Sequence, residues 1–111
     1  MKRINIQTFV AATTVAVAFV LPLPALGQNA SETLFKAKCV ACHGSDGTGS
    51  AMGKTLGAHD FHTSDVQKMS DAELSGVIAN GKNKMPAYGK SLKAEDIKGL
   101  VAYIRSLAPA K

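Results

Sequence analysis

One short motif constrains this chain more than any other feature: two cysteines three residues apart, followed directly by a histidine. Cys39, Cys42 and His43 form a Cys-x-x-Cys-His sequence, which is the attachment pattern of a c-type haem. Two thiols at this spacing can each bond one haem vinyl group, and the histidine then lies beside the iron as its proximal ligand. Three other interpretations stay open at this point: a thioredoxin-like redox pair, half of a zinc site, and coincidence.

The amino-terminal part of the chain has the composition of a secretory signal peptide. Lys2 and Arg3 precede an uncharged apolar run over residues 9–21, and residues 25–27 offer a small-x-small cleavage site. Prolines at positions 22 and 24 end the run, whereas a membrane-spanning helix needs about 20 predominantly apolar residues. We therefore expect export to the periplasm, with an uncleaved membrane anchor as the alternative.

The expected organisation is a signal peptide over residues 1–27 and one domain over residues 28–111. The domain carries 11 basic and eight acidic residues, a formal charge of +3. It lacks the interleaved aromatic and basic residues of single-strand nucleic-acid binders, so no nucleic-acid partner is expected. A domain this small commonly needs an additional stabilising group. A Cys39–Cys42 disulfide would close a very short loop and contribute little, whereas a covalently held apolar macrocycle would complete the core.

Local signals predict an all-α domain. Asn29, with Glu32 three residues on, predicts the start of a first helix that runs into Cys39. The sequence Ser70-Asp-Ala-Glu73 is a capping box that opens a second helix, which ends at Asn80-Gly81.

A third helix and the connecting segments complete the pattern. The helix carries apolar residues at i, i+3, i+4, i+7 and i+10 from Ile97 to Leu107, before Pro109. The segment Gly44–Gly53 is too rich in glycine to predict regular structure, and Thr63 or Ser64 is expected to open one short turn. The prediction is thus three main helices plus a short turn.

Met85 is the candidate for the second iron ligand. It lies in a glycine-bounded loop over residues 81–89, and Pro86 disfavours helical backbone at Met85. A thioether in this position favours electron transfer over small-molecule chemistry and raises the reduction potential. The alternative is that Met85 fills a gap in the core.

Four other side chains compete with Met85. Met52 lies in the glycine-rich loop, and Met69 immediately precedes a helix cap. His59 or His62 would give a bis-histidine site of lower potential, or the two could hold another metal if their turn is helical. They could equally be polar residues of a loop.

Together these segments resemble the class I cytochromes c, above all the small bacterial and photosynthetic-type members. The segments that carry the resemblance are Cys39 to His43, Gly53-Lys54-Thr55-Leu56-Gly57, Lys84-Met85-Pro86 and Leu100-Val101-Ala102-Tyr103-Ile104. The resemblance implies the class I cytochrome c fold around one covalently bound haem c, with the first and last helices crossing. Leu34 or Phe35 would meet Leu100 and Tyr103 at that crossing.

The resemblance also implies His43 and Met85 as axial ligands and single-electron transfer as the function. Members of the family commonly have proline where this chain has Lys54, and the carbonyl of that proline accepts a hydrogen bond from the proximal histidine. We expect the Lys54 carbonyl to do the same here.

The sequence therefore predicts an exported, monomeric one-electron carrier, not an enzyme, with no stable membrane insertion once the signal peptide is cleaved. Its expected partners are redox proteins such as a terminal oxidase, a cytochrome complex or a periplasmic dehydrogenase or reductase. Lysines near the haem would steer it onto acidic partners, unless they are ordinary solubility charges. These lysines are Lys36, Lys38, Lys54, Lys82, Lys84 and Lys90. The alternatives are a haem peroxidase or gas-binding protein with a labile sixth ligand, and a thiol–disulfide oxidoreductase.

Overall fold

The computed structural model describes residues 11–21 and 26–108, and the described part of the chain is helical with no β-strand. Its helices are α1 (Leu26–Lys38), α2 (Val40–His43), α3 (Ala51–Thr55), α4 (Ser64–Gln67), α5 (Asp71–Asn80) and α6 (Ala94–Leu107). The all-α prediction is confirmed, with α1, α5 and α6 as the three main helices. Residues 11–21 form no regular structure.

Several predicted features of the termini lie outside the described residues. They are Lys2, Arg3, Pro22, Pro24 and Ala25 at the amino terminus, and Pro109 beyond α6.

The predicted start of α1 is wrong. The helix begins at Leu26, so Asn29 lies inside it, where its carbonyl accepts a hydrogen bond from Thr33 Oγ1 at 2.9 Å. Glu32 does not close a capping box but pairs with Lys36, one turn further along, at 2.5 Å. The carboxylate of a glutamate near a helix start can accept from the backbone N–H of the N-cap residue or pair with a lysine one turn later in the helix. The sequence alone does not distinguish these two contacts.

The glycine-rich segment is partly helical, contrary to prediction. Ser50 accepts a hydrogen bond from the Gly53 N–H at 3.0 Å through its side chain and so caps α3. Ser, placed at the N-cap, offsets the helix-breaking character of the glycines around it. The predicted short turn is confirmed as α4, with Thr63 at its N-cap.

The predicted boundaries of α5 are confirmed. Ser70 Oγ accepts from the Glu73 N–H at 3.1 Å, and the Ser70 N–H donates to Glu73 Oε2 at 2.7 Å. Gly81 is the C-cap and has a φ of 73°. Glycine adopts this backbone conformation with little steric cost, because it has no Cβ atom.

The core forms where α1 packs against α6. Phe35 of α1 is fully buried, and its ring centroid lies 5.1 Å from that of Tyr103. Leu100 of α6 belongs to the same buried cluster. The predicted crossing of the first and last helices is therefore confirmed. At the crossing, the rings of Phe35 and Tyr103 form a tilted aromatic pair.

Arg105 ties α6 to the segment that follows α4. Its Nε donates to Asp71 Oδ1 at 2.9 Å, and its Nη1 and Nη2 donate to the carbonyls of Gln67 and Met69 at 3.3 and 2.5 Å. Carbonyls at the end of a helix have no partner within it. The guanidinium group supplies a partner for the Gln67 carbonyl at the end of α4, and it also binds the Met69 carbonyl in the segment before α5.

Close packing at the crossing predicts a difference between two glycine substitutions. A Cβ atom on Gly99 of α6 would overlap Ser31 Oγ of α1, whereas a Cβ on Gly76 of α5 would meet nothing within 4 Å. We expect Gly99→Ala to lower the free energy of unfolding by roughly 1–3 kcal/mol, because either Ser31 Oγ must leave its position or α1 and α6 must move apart.

Gly76→Ala is the matched control. It replaces a glycine within a helix where there is room, so it should raise the free energy of unfolding by up to about 1 kcal/mol. Chemical denaturation of both variants measures the difference. Equal stabilisation by both alanines would contradict the close approach of α1 and α6 at Gly99.

Candidate haem site

A cavity of about 380 Å³ lies among the helices and their connecting loops. Cys39, Cys42 and His43 line it, and so does Met85 from a loop far along the chain. The fold thus brings together the four residues that the sequence analysis selected for haem attachment and iron ligation.

The Cys39–His43 motif forms a helical turn that follows directly on α1. The Cys39 N–H donates to the Phe35 carbonyl at 2.8 Å, and the N–H groups of Cys42 and His43 donate to the Cys39 carbonyl at 3.2 and 2.9 Å. Residues three apart on such a turn lie on one side of it. Both thiols are free and half-buried, so the motif presents them together to the cavity.

Helix α3 packs backbone to backbone against this turn. The Ser50 hydroxyl donates to the Ala41 carbonyl at 2.6 Å, and the Ser50 N–H donates to the Cys42 carbonyl at 3.0 Å. A Cβ atom on Gly53 would overlap the Cys42 carbonyl oxygen, so only glycine fits there. The roles of Ser50 and Gly53 were not predicted from the sequence, although a glycine within a helix commonly marks a close approach.

The surroundings of His43 differ from the prediction. Its Nδ1 is buried and has no hydrogen-bond partner among the residues that the structure describes. The Lys54 carbonyl, the predicted acceptor, instead accepts from the Gly57 N–H at 3.1 Å. Burial lowers the pKa of His43, and the neighbouring His59 lowers it further. These effects favour the neutral imidazole, which is the form that binds a metal.

A tight turn holds Met85. The Lys82 N–H donates to the Met85 carbonyl at 3.2 Å, the Met85 N–H donates to the Lys82 carbonyl at 2.9 Å, and Asn83 has a φ of 52°. Asparagine is among the few residues that tolerate this left-handed conformation. A Cβ on Gly81 would lie 2.6 Å from the Met85 carbonyl oxygen. The turn therefore packs so closely on residue 81 that only glycine fits there.

Tyr88 connects the Met85 loop to two helices. Its N–H donates to the Ile78 carbonyl of α5 at 3.0 Å, and its hydroxyl donates to the Lys38 carbonyl at the end of α1 at 3.3 Å. Because Lys38 immediately precedes Cys39, this bond links the Met85 loop to the cysteine motif. Neither bond is apparent from the sequence, since the partners are remote along the chain.

Two of the four rival ligands share the cavity with Met85, and two do not. Met69 and His59 line the cavity, but neither Met52 nor His62 is among its described lining residues. The Met52 side chain is 54% exposed, and His62 Nδ1 lies 2.7 Å from Asp60 Oδ1. Within residues 11–21 and 26–108, no three His, Cys, Asp or Glu side chains form a metal site.

The electrostatics of the cysteine pair disfavour thiol–disulfide chemistry. Burial raises the pKa of Cys39, and the adjacent Cys42 raises it further. Reactive cysteines of oxidoreductases instead have a lowered pKa, because the thiolate is the nucleophile.

The cavity suits a haem on chemical grounds. Its lining is largely apolar and includes Phe35, Leu100 and Ile104, as a flat aromatic macrocycle requires. It also offers two thiols for covalent attachment, one imidazole, and one thioether of the soft kind that binds reduced iron.

Comparison with known proteins supports the same assignment. A family model described as cytochrome c oxidase, cbb3-type, subunit III matches residues 28–104. The chain is 34% identical over 110 residues to a cytochrome c6 of Rippkaea orientalis, which covers 99% of this chain and 97% of that one. It is also 34% identical over 90 residues to the cbb3-type oxidase subunit CcoP of Azospirillum brasilense, which covers 78% of this chain and 30% of that protein.

A solved structure has the same fold. The KustC0563 c-type cytochrome superposes with a TM-score of 0.67 at 31% identity, covering 71% of this chain and 98% of its own. No helix in the described part of the chain has the length and apolar character needed to cross a bilayer. The chain belongs to the class I cytochromes c, the electron carriers with one covalently bound haem c.

Proposed function

We propose that this protein is a periplasmic one-electron carrier whose haem is bonded to Cys39 and Cys42 and ligated by His43 and Met85. The observation that carries the proposal is that these four side chains line one largely apolar cavity. When bound, the haem supplies an iron that accepts and releases one electron.

The chain's own residues determine how such an iron would behave. His43 and Met85 occupy two separate, hydrogen-bonded segments, a helical turn and a tight loop. Ligands held this way keep their positions when the charge of the iron changes, so little rearrangement accompanies electron transfer. Phe35 and Leu100, both almost fully buried, exclude water from the inner side of the cavity and thereby support a closed site.

The export proposal rests on the amino-terminal sequence. Residues 1–27 serve as the signal peptide and residues 28–111 as the mature, monomeric domain, with no stable membrane insertion after cleavage. Helix α1 begins at Leu26, two residues before the proposed start of the mature domain.

The proposed partners are other redox proteins: a terminal oxidase, a cytochrome complex, or a periplasmic dehydrogenase or reductase. The match to the cbb3-type subunit III family and to CcoP supports the first of these. Lys38, Lys82 and Lys84 line the cavity, and positive charge at this place would attract an acidic docking surface.

A redox titration of the purified holoprotein with full absorption spectra tests the proposed function directly. We expect a covalently bound, low-spin haem that cycles reversibly in one-electron steps and does not bind CO readily in its reduced form. Rapid, tight CO binding to the native protein would indicate a labile sixth ligand and contradict the carrier assignment in favour of a gas-binding protein or peroxidase.

The Met85→Ala variant tests the second ligand. It should retain covalent haem, because Cys39 and Cys42 are unchanged, but lose the thioether that favours ferrous iron. We expect a lower reduction potential and new binding of CO and cyanide, both measured on the purified variant.

Met52→Ala is the control for Met85→Ala, since Met52 is exposed. It should leave the potential and the spectrum unchanged. An unchanged potential in Met85→Ala would remove Met85 as a ligand, and Met69→Ala and His59→Ala would then identify the replacement.

Charge reversal at the cavity tests electrostatic steering. The double variant Lys82→Glu/Lys84→Glu should react with an anionic oxidant such as ferricyanide about tenfold more slowly at low ionic strength, with the difference disappearing at high salt. Stopped-flow kinetics over a range of salt concentrations measure this.

A matched control reverses two lysines that are exposed and do not appear among the described cavity residues, Lys93 and Lys98. Lys93→Glu/Lys98→Glu changes the net charge equally but should slow the reaction much less. Equal effects of the two double variants would mean that overall charge, and not a local docking surface, governs the rate.

A further inference from the structure

The ring of Phe61 is stacked on the imidazole of His43. The two ring centroids lie 4.9 Å apart at an interplanar angle of 27°. The other ring pairs in the core are tilted instead, Phe35 with Tyr103 by 56° and Phe35 with Phe61 by 60°. Stacking covers one face of the imidazole and leaves fewer orientations open to it.

Gly47 and Gln67 contact Phe61 and help to hold it in place. A Cβ atom on Gly47 would lie 2.5 Å from Phe61 Cδ2, so the glycine backbone lies directly against the ring. The Phe61 N–H donates to the Gly47 carbonyl at 2.9 Å, and Gln67 Nε2 donates to the Phe61 carbonyl at 2.5 Å. Only 7% of the Phe61 surface is exposed, and the residue belongs both to the core and to the lining of the cavity.

Among the described residues, no hydrogen bond at Nδ1 fixes the imidazole of His43. In the described part of the chain Nδ1 of His43 is buried without a partner, whereas a metal-binding histidine ordinarily donates its second N–H to an oxygen that sets the orientation of the ring. The stacked contact with Phe61 is therefore a candidate for the interaction that sets the plane of this imidazole.

We propose that Phe61 is the positioning residue for His43: its ring, held against Gly47, sets the rotational orientation of the proximal imidazole. This proposal rests on the proposed role of His43 as an iron ligand. It also gives the glycine-rich segment a function, because Gly47 provides the space in which Phe61 meets His43.

Substitution of Phe61 tests the proposal on the holoprotein. The plane of an axial imidazole governs how unpaired spin is distributed over a ferric haem, so the proton NMR shifts of the haem methyl groups report its orientation. We expect Phe61→Leu to change the order or spread of these shifts, and Phe61→Tyr, which keeps an aromatic ring, to restore them toward the wild-type pattern.

Val101→Ala is the control for loss of packing. Val101 is 3% exposed and is not among the described residues that line the haem cavity. Its truncation should therefore lower stability, as Phe61→Leu does, without changing the methyl shifts.

A second pair of variants changes the glycine that contacts Phe61. Gly47→Ala should change the shifts, and Gly49→Ala should not, because it has similar backbone strain but meets only the flexible Lys54 side chain.

The outcomes separate this proposal from the proposed function. Wild-type protein without a covalent low-spin haem would refute the function itself. A normal wild-type spectrum with unchanged methyl shifts in Phe61→Leu and Gly47→Ala would refute only the role of Phe61. Shifts that Phe61→Tyr fails to restore, or that Val101→Ala changes equally, would likewise reduce Phe61 to an ordinary core residue.

Discussion

Burial of Phe35 is the interaction on which the rest of this structure depends. Its side chain is fully buried where α1 crosses α6, and its carbonyl accepts the hydrogen bond of the Cys39 N–H one turn later. The Phe35 side chain therefore stabilises the helix crossing, and the Phe35 carbonyl positions the first residue of the cysteine motif. Because an α-helix transmits position rigidly over one turn, the crossing determines where the two thiols and His43 face the cavity.

Aromatic rings extend this connection to the proposed iron ligand. Tyr103, Phe35, Phe61 and His43 follow one another with centroid separations of 5.1, 6.3 and 4.9 Å. Large apolar rings contribute strongly to a small core, and here Phe61 packs directly on His43, the proposed ligand. In a domain with so little interior, the residues that stabilise the fold and those that shape the site are largely the same.

Much of the site was predictable from the sequence because its chemistry is local. The Cys-x-x-Cys-His spacing requires no tertiary information, and the Ser70–Glu73 capping box predicted the start of α5 correctly. Predictions failed where one polar group had two plausible partners. The Glu32 side chain binds Lys36 and not a helix cap, and the Lys54 backbone carbonyl accepts from Gly57 and not from His43. Local spacing permits both partners in each case, and the packing of the complete chain selects one.

The sequence by itself determined the haem-attachment motif and the candidate status of Met85, since each depends on residue types in a short segment. It also indicated the class of protein, through the resemblance of four segments to the class I cytochromes c. Only the tertiary structure decided that Met85 and the motif share one cavity, that Gly53 lies against the Cys42 carbonyl, and that Phe61 covers a face of His43. These are contacts between segments distant along the chain. Burial of apolar side chains has no preferred direction, so it does not by itself determine which segments meet. Steric fit and hydrogen bonding select the one arrangement that is observed.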